Sequence, residues 1–146
     1  MKKMIFSLMA TVLFIISCNS QNEKYYTSNF KFKDRTELVS LLDRVITETD
    51  ISDYKNSNNR GISNIKLEIA DNQLIYTPTD SNVSTENEST AACPPGFTDH
   101  GLFKDENKIR SLVAEIAAPV QNCCPKVTII LDRTAFGVRI CSKLEN

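Results

Sequence analysis

The sequence predicts an α+β fold: two amphipathic helices packed on an antiparallel sheet of about four strands, with disulfides stabilising the whole. Three observations predict it. Two segments carry apolar residues at helical spacing behind an Asp, and each is followed by residues that alternate apolar and polar across a turn. Four cysteines, Cys93, Cys123, Cys124 and Cys141, gather in the second half of the chain.

Phe30-Lys31-Phe32 alternates like a brief strand. Asp34 then reads as a helix cap, because Glu37 stands three residues on in a capping-box arrangement and Leu38, Leu41, Leu42, Val45 and Ile46 follow at helical spacing. Residues 49–61 are polar and rich in Asn and Ser, ending at Gly61. Ile65, Leu67 and Ile69 alternate with Lys66 and Glu68, Asp71-Asn72 makes a turn, and Leu74 and Tyr76 resume the alternation, which is the pattern of a hairpin. From Pro78 the chain turns to Ser, Thr, Asn, Asp and Glu with little to bury, so residues 78–92 are expected to form a disordered loop. Asn82 and Asn87 match the N-glycosylation pattern as by-products of that composition.

Cys93-Pro94-Pro95-Gly96 reads as a rigid turn before the second helix. That helix is capped by Asp105, buries Ile109, Leu112, Val113, Ile116 and Ala117, and ends near Pro119. Val127, Ile129 and Leu131, a turn near 134–137, and Val138 and Ile140 suggest a second hairpin. The halves resemble each other. Phe32-Lys33-Asp34 recurs as Phe103-Lys104-Asp105, Ser40-Leu41 as Ser111-Leu112, and the buried stripe Leu38, Leu42, Val45 as Ile109, Val113, Ile116. A helix-hairpin unit used twice would place both helices on one face of the sheet.

The amino end carries Met1-Lys2-Lys3, an apolar run from Met4 to Ile16, and then Ser17 and Cys18. A charged start, a short apolar core and a small residue at the cut make a secretory signal, and the run is well short of the roughly 20 residues that span a bilayer. Ile15-Ile16-Ser17-Cys18 resembles the lipobox of bacterial lipoproteins. That resemblance implies that the Cys18 sulfur is lipidated, that the signal is cut before it, and that Cys18 becomes the acylated first residue of the mature chain. Several acyl chains give stable anchoring. Asn19 rather than Asp after the lipidated Cys implies, by the same resemblance, the outer membrane. The expected organisation is thus a signal peptide at 1–17, a lipidated Cys and polar tether at 18–29, and one small α+β domain at 30–146.

Removing residues 1–17 takes away Lys2 and Lys3 and no acid, leaving 15 basic residues against 18 acidic, a net charge of -3. That balance excludes a nucleic-acid partner of the usual kind, which needs a concentrated basic face. In an oxidising compartment the four domain cysteines are expected in disulfides. A bond between the neighbours Cys123 and Cys124 closes a strained ring, so Cys93 and Cys141 are each expected to take one of that pair. The alternative is a thiol-redox or soft-metal site at Cys123-Cys124, with His100 as a possible nitrogen ligand, although no C-x-x-C or paired histidines support it. His100 itself, beside Asp99, reads as a surface-loop residue.

No G-x-S-x-G, H-E-x-x-H or Gly-rich phosphate loop is present, and no motif calls for a cofactor or metal. The expectation is a membrane-anchored envelope lipoprotein without enzymatic activity that binds a protein: an inhibitor, an immunity protein or an envelope accessory. A thiol or metal handler, and a small hydrolase with a site assembled from scattered residues, are the competing classes.

Overall fold

A computed structural model describes residues 27–51, 62–80, 92–121 and 126–146. The signal segment, Cys18, Cys123 and Cys124 lie outside the described residues. In chain order the elements are β1 (Ser28–Lys31), α1 (Arg35–Thr49), β2 (Ile62–Ala70), β3 (Gln73–Asp80), β4 (Thr98–Phe103), α2 (Glu106–Ala117), a short 3-10 turn (Ala118–Gln121), β5 (Lys126–Thr134) and β6 (Gly137–Glu145). Two helices and an antiparallel sheet make this an α+β protein, but the sheet has six strands where the sequence suggests about four. Of the two edge strands, β1 overlaps the brief strand expected at Phe30-Lys31-Phe32, and β4 is the strand that no pattern announces.

The sheet order is β1-β3-β2-β5-β6-β4. Each half runs strand, helix, hairpin along the chain, and the halves meet where β2 pairs antiparallel with β5, Leu67 opposite Ile129. The helix-to-hairpin link is longer in the first half, residues 50–61 against 118–125. That difference explains why the strands do not align in sequence at the spacing that matches the helices.

Both helices begin as their sequences direct. The Asp34 carboxylate accepts from the Glu37 N–H at 2.9 Å, and the Asp105 carboxylate accepts from the Lys108 N–H at 3.1 Å. Each satisfies one donor of a first turn that has no intrahelical partner. In α1 Glu37 also accepts from the Lys33 N–H at 2.7 Å, whereas α2 has Lys108 at that position and no such return bond. At the far end of α1, Asp50 takes a left-handed conformation, and Arg133 of β5 donates to the carbonyl oxygens of Asp50 and Ile51. These bonds tie the end of α1 to the sheet.

The core forms between the helices and one sheet face. Leu38, Leu42, Val45 and Ile46 of α1 and Ile109, Val113 and Ala117 of α2 are buried against Ile65, Leu67, Ile69, Leu74, Val127, Ile129, Leu131, Val138 and Ile140. Strand periodicity puts these alternate residues on one side and leaves their neighbours on the other. Arg110 joins the helices, donating to the Asp43 carbonyl at 2.9 Å and to the Thr47 hydroxyl at 2.9 Å. Phe30 stacks on Tyr76, with the Arg44 guanidinium 5.4 Å from its ring centre.

Two expected boundaries move. β1 starts at Ser28, inside the stretch assigned to the tether. β3 continues through Pro78 to Asp80, which the composition alone places in a loop. Pro78 is compatible with the strand because β1 pairs with β3 only between Gln73 and Tyr76, so at Pro78 a neighbour is needed on one side only. The rest of that expected loop, 81–91, lies outside the described residues.

Candidate interaction face

The helices cover one face of the sheet. The opposite face carries the other members of each strand alternation, mostly polar, with Ile75, Ile130 and Cys141 among them. Across β2, β5 and β6, Glu68 meets Lys126 at 3.0 Å and Lys66 at 3.3 Å, and Glu145 meets Lys143 at 3.1 Å and Lys126 at 3.6 Å. The hydrogen bond from Lys126 is the main reason the Glu68 carboxyl lies below the ordinary carboxylate range, and the bond from Lys143 does the same for Glu145. Thr128, buried, lies between Glu68 and Lys143 in the register.

Toward the other end of the same face, the register places Asn64, Asp132 and Arg139 in one row across β2, β5 and β6. Arg139 donates to Asp99 of β4 at 2.5 Å. Its Nε is buried and has no hydrogen-bond partner among the described residues. Asp132 is half-buried, and that burial pushes its carboxyl above the usual range against the opposing pull of an Asn64 hydrogen bond and the Arg139 charge. A half-buried acid beside a guanidinium is chemistry suited to recognising polar groups.

Cys93 is bonded to Cys141. This corrects the expected pairing, in which each of the two takes one of Cys123 and Cys124. The sheet supplies the reason. β4 pairs with β6 so that Asp99 faces Cys141, and Cys93 stands only a few residues ahead of Asp99. β5 instead begins at Lys126 opposite Glu145, four positions along β6 from Cys141, or about 13 Å at strand spacing. Cys141 alternates with the core residue Ile140, so the bond holds the Cys93 segment on the helix-free face.

His100 lies on β4 and not in a loop. The strand escapes a pattern reading because Thr98-Asp99-His100-Gly101 has no apolar alternation and the register shifts between Asp99 and Leu102, with Gly101 at φ +97°. The His100 Nε2 is 2.7 Å from the Ser142 hydroxyl, which is buried. Asp99, next in sequence, directs its carboxylate to Arg139 and to the Gly101 N–H at 2.8 Å. Ser142, His100 and Asp99 therefore do not line up as a nucleophile, its base and the group that orients the base.

Among the described residues, no group of three or more His, Cys, Asp or Glu side chains is placed to hold a metal ion, and no helix is long and apolar enough to cross a membrane. Asn64, Asp99, Asp132 and Arg139 are not legible as a group because strand order alone brings them together. The available signal is that Arg139 sits between the core residues Val138 and Ile140, and that Asp132 follows the core residue Leu131. No protein-family model matches the chain, and no curated protein or solved structure matches it either.

Proposed function

We propose that the protein is a lipoprotein of the bacterial envelope, anchored in the outer membrane through Cys18, and that its domain is a non-enzymatic module that binds a protein partner on the helix-free sheet face. The observation that carries the anchor is the run Ile15-Ile16-Ser17-Cys18 behind a charged, short apolar leader. Supporting the binding role is a broad face of β2, β5 and β6 on which no described helix packs, bearing fixed charge pairs and a half-buried Asp132 beside Arg139. Rigid, pre-arranged charges favour specificity for one partner over others. The repeated strand, helix and hairpin plan supports reading the domain as a duplicated unit whose outer face has diverged.

Photo-crosslinking residues at Lys143 on this face and at Glu115 on the exposed side of α2 separate this reading from its competitors. In native membranes, crosslinks to one discrete protein from position 143 and not from position 115 are expected. Equal labelling from both positions, or none from either across growth conditions, contradicts the binding role.

One observation favours a second reading. The Cys93–Cys141 bond uses both cysteines that were expected to pair with Cys123 and Cys124. A thiol-redox or soft-metal role for that adjacent pair gains from this, because its ordinary disulfide partners are taken. Alkylation of unreduced, denatured mature protein tests it: two modified thiols at Cys123 and Cys124 support a thiol site, and none removes it in that state.

A further inference from the structure

The charges on the helix-free face follow a rule along the strands. Four levels cross β2, β5 and β6 in turn: Asn64, Asp132 and Arg139; Lys66, Ile130 and Cys141; Glu68, Thr128 and Lys143; Ala70, Lys126 and Glu145. From the first level to the last, β2 carries no charge, a cation, an anion and no charge, while β5 carries an anion, two uncharged residues and a cation. β6 has a cation at the first level and an anion at the last. Turning the face end over end therefore exchanges these signs.

Such a pattern is self-complementary. A two-fold axis across the strands, midway between the levels of Lys66 and Glu68, lays each strand antiparallel over its own copy. Asp132 then faces Lys126 of the second copy, Lys66 faces its Glu68, and Arg139 faces its Glu145 at the margin. Lys143 falls over Cys141 of the second copy, beside Asp99. No like charges face each other on these strands. Ion pairs within each copy, Glu68 with Lys126 and Glu145 with Lys143, hold the groups in place beforehand. An axis along the strands, between β2 and β5, brings none of the opposite charges together.

The amino ends agree with the first axis. The Thr27 hydroxyl donates to the Thr77 hydroxyl at 3.4 Å, and Thr77 stands at the level of Lys66, so the chain enters at mid-height on the β1 edge. An axis across the strands keeps both β1 edges on one side of the pair, where one membrane can hold both tethers through Cys18. An axis along the strands puts them on opposite sides. Shared tethering raises the effective concentration of the copies. The strands β3, β2, β5 and β6, at about 4.8 Å spacing and about 30 Å long, offer roughly 1,100 Å² over two copies, the lower range for a specific contact.

We infer that the helix-free face pairs with the same face of a second copy of this chain, antiparallel, with β2 and β5 at the centre. This deepens the reading of that face as a protein-binding one and rests on it.

Full chains with two different tags are expressed together in one bacterial host, a photo-crosslinking residue replacing the half-buried Ile130. Irradiated membranes should give a two-chain adduct bearing both tags. Lys126→Asp in both chains, or Asp132→Lys in both, sets like charges face to face and should cut that adduct at least fivefold. Lys126→Asp in one chain with Asp132→Lys in the other puts opposite charges at both contacts and should restore it. Absence of a two-chain adduct without the charge changes overturns the pairing, whether or not the charge variants fold. So does a mixed pair of protease-resistant chains that does no better than either variant alone. An adduct with a different protein overturns the second copy and leaves the face a protein-binding one, whereas no adduct of any kind overturns both.

Discussion

Cys93 is bonded to Cys141, 48 positions away, with the two Cα atoms 5.6 Å apart. The bond ties the segment ahead of the edge strand β4 to the middle of β6. β4 is an edge strand of six residues with a register shift, and the covalent tie adds to its pairing with β6.

Removing the bond by Cys93→Ala with Cys141→Ala should lower unfolding stability by about 2–4 kcal/mol, as expected for closing a loop of this length. Urea denaturation of the oxidised wild type against the double variant measures it. Peptide mapping without reduction should recover Cys93 joined to Cys141. A peptide joining Cys93 to Cys123 or Cys124 would contradict the pairing.

Gly137 holds a positive φ of +147°, and a Cβ there would lie 2.7 Å from the Phe103 carbonyl oxygen. Gly101 has φ +97° and open space around the same position. Gly137→Ala should therefore carry both backbone strain, about 1–3 kcal/mol, and a clash with β4, while Gly101→Ala carries strain alone. Denaturation midpoints should fall further for Gly137→Ala. Equal losses would mean that the close approach of β4 to the β5–β6 turn does not constrain that residue.

Asp132 and Glu68 should respond to pH in opposite directions. Burial raises the Asp132 carboxyl in the folded state, so the native protein holds that proton more tightly, and stability falls as pH rises from the ordinary carboxylate value through the raised one. Asp132→Asn should stabilise at neutral pH, with the gain shrinking in acid. Glu68 is lowered, chiefly by its bond from Lys126, so its contribution is present above the ordinary carboxylate value and is lost as pH falls through the lowered one. Glu68→Gln should destabilise at neutral pH and lose its effect in acid. Urea midpoints at several pH values check both signs.

The caps offer a further test. Asp34→Ala and Asp105→Ala should each cost about 0.5–2 kcal/mol. They start different helices and share no partner, so the double variant should equal the sum within about 0.5 kcal/mol. A large departure would show that α1 and α2 fold as one coupled unit through Arg110.

These two caps were legible in the sequence because an Asp ahead of a 3.6-residue apolar period is a local signal, and Leu38, Leu42, Ile109 and Val113 are buried as that period requires. The hairpins were legible for the same reason: Ile65, Leu67 and Ile69 alternate cleanly, and Asp71 and Asn72 both adopt the positive φ that a tight hairpin turn demands. β4 was not, since Asp99, His100 and Gly101 interrupt any alternation and their place is set by pairing with β6. The Cys93–Cys141 bond and the row Asn64, Asp132, Arg139 depend on strand order, which no local spacing encodes.

Lipidation of Cys18 as the first residue of the mature protein is tested by the mass of the amino-terminal peptide of protein taken from the membrane fraction. That peptide should begin at Cys18 and carry a diacylglyceryl group and an acylated amino terminus. A peptide beginning elsewhere, or an unmodified Cys18 in membrane-bound protein, would contradict it.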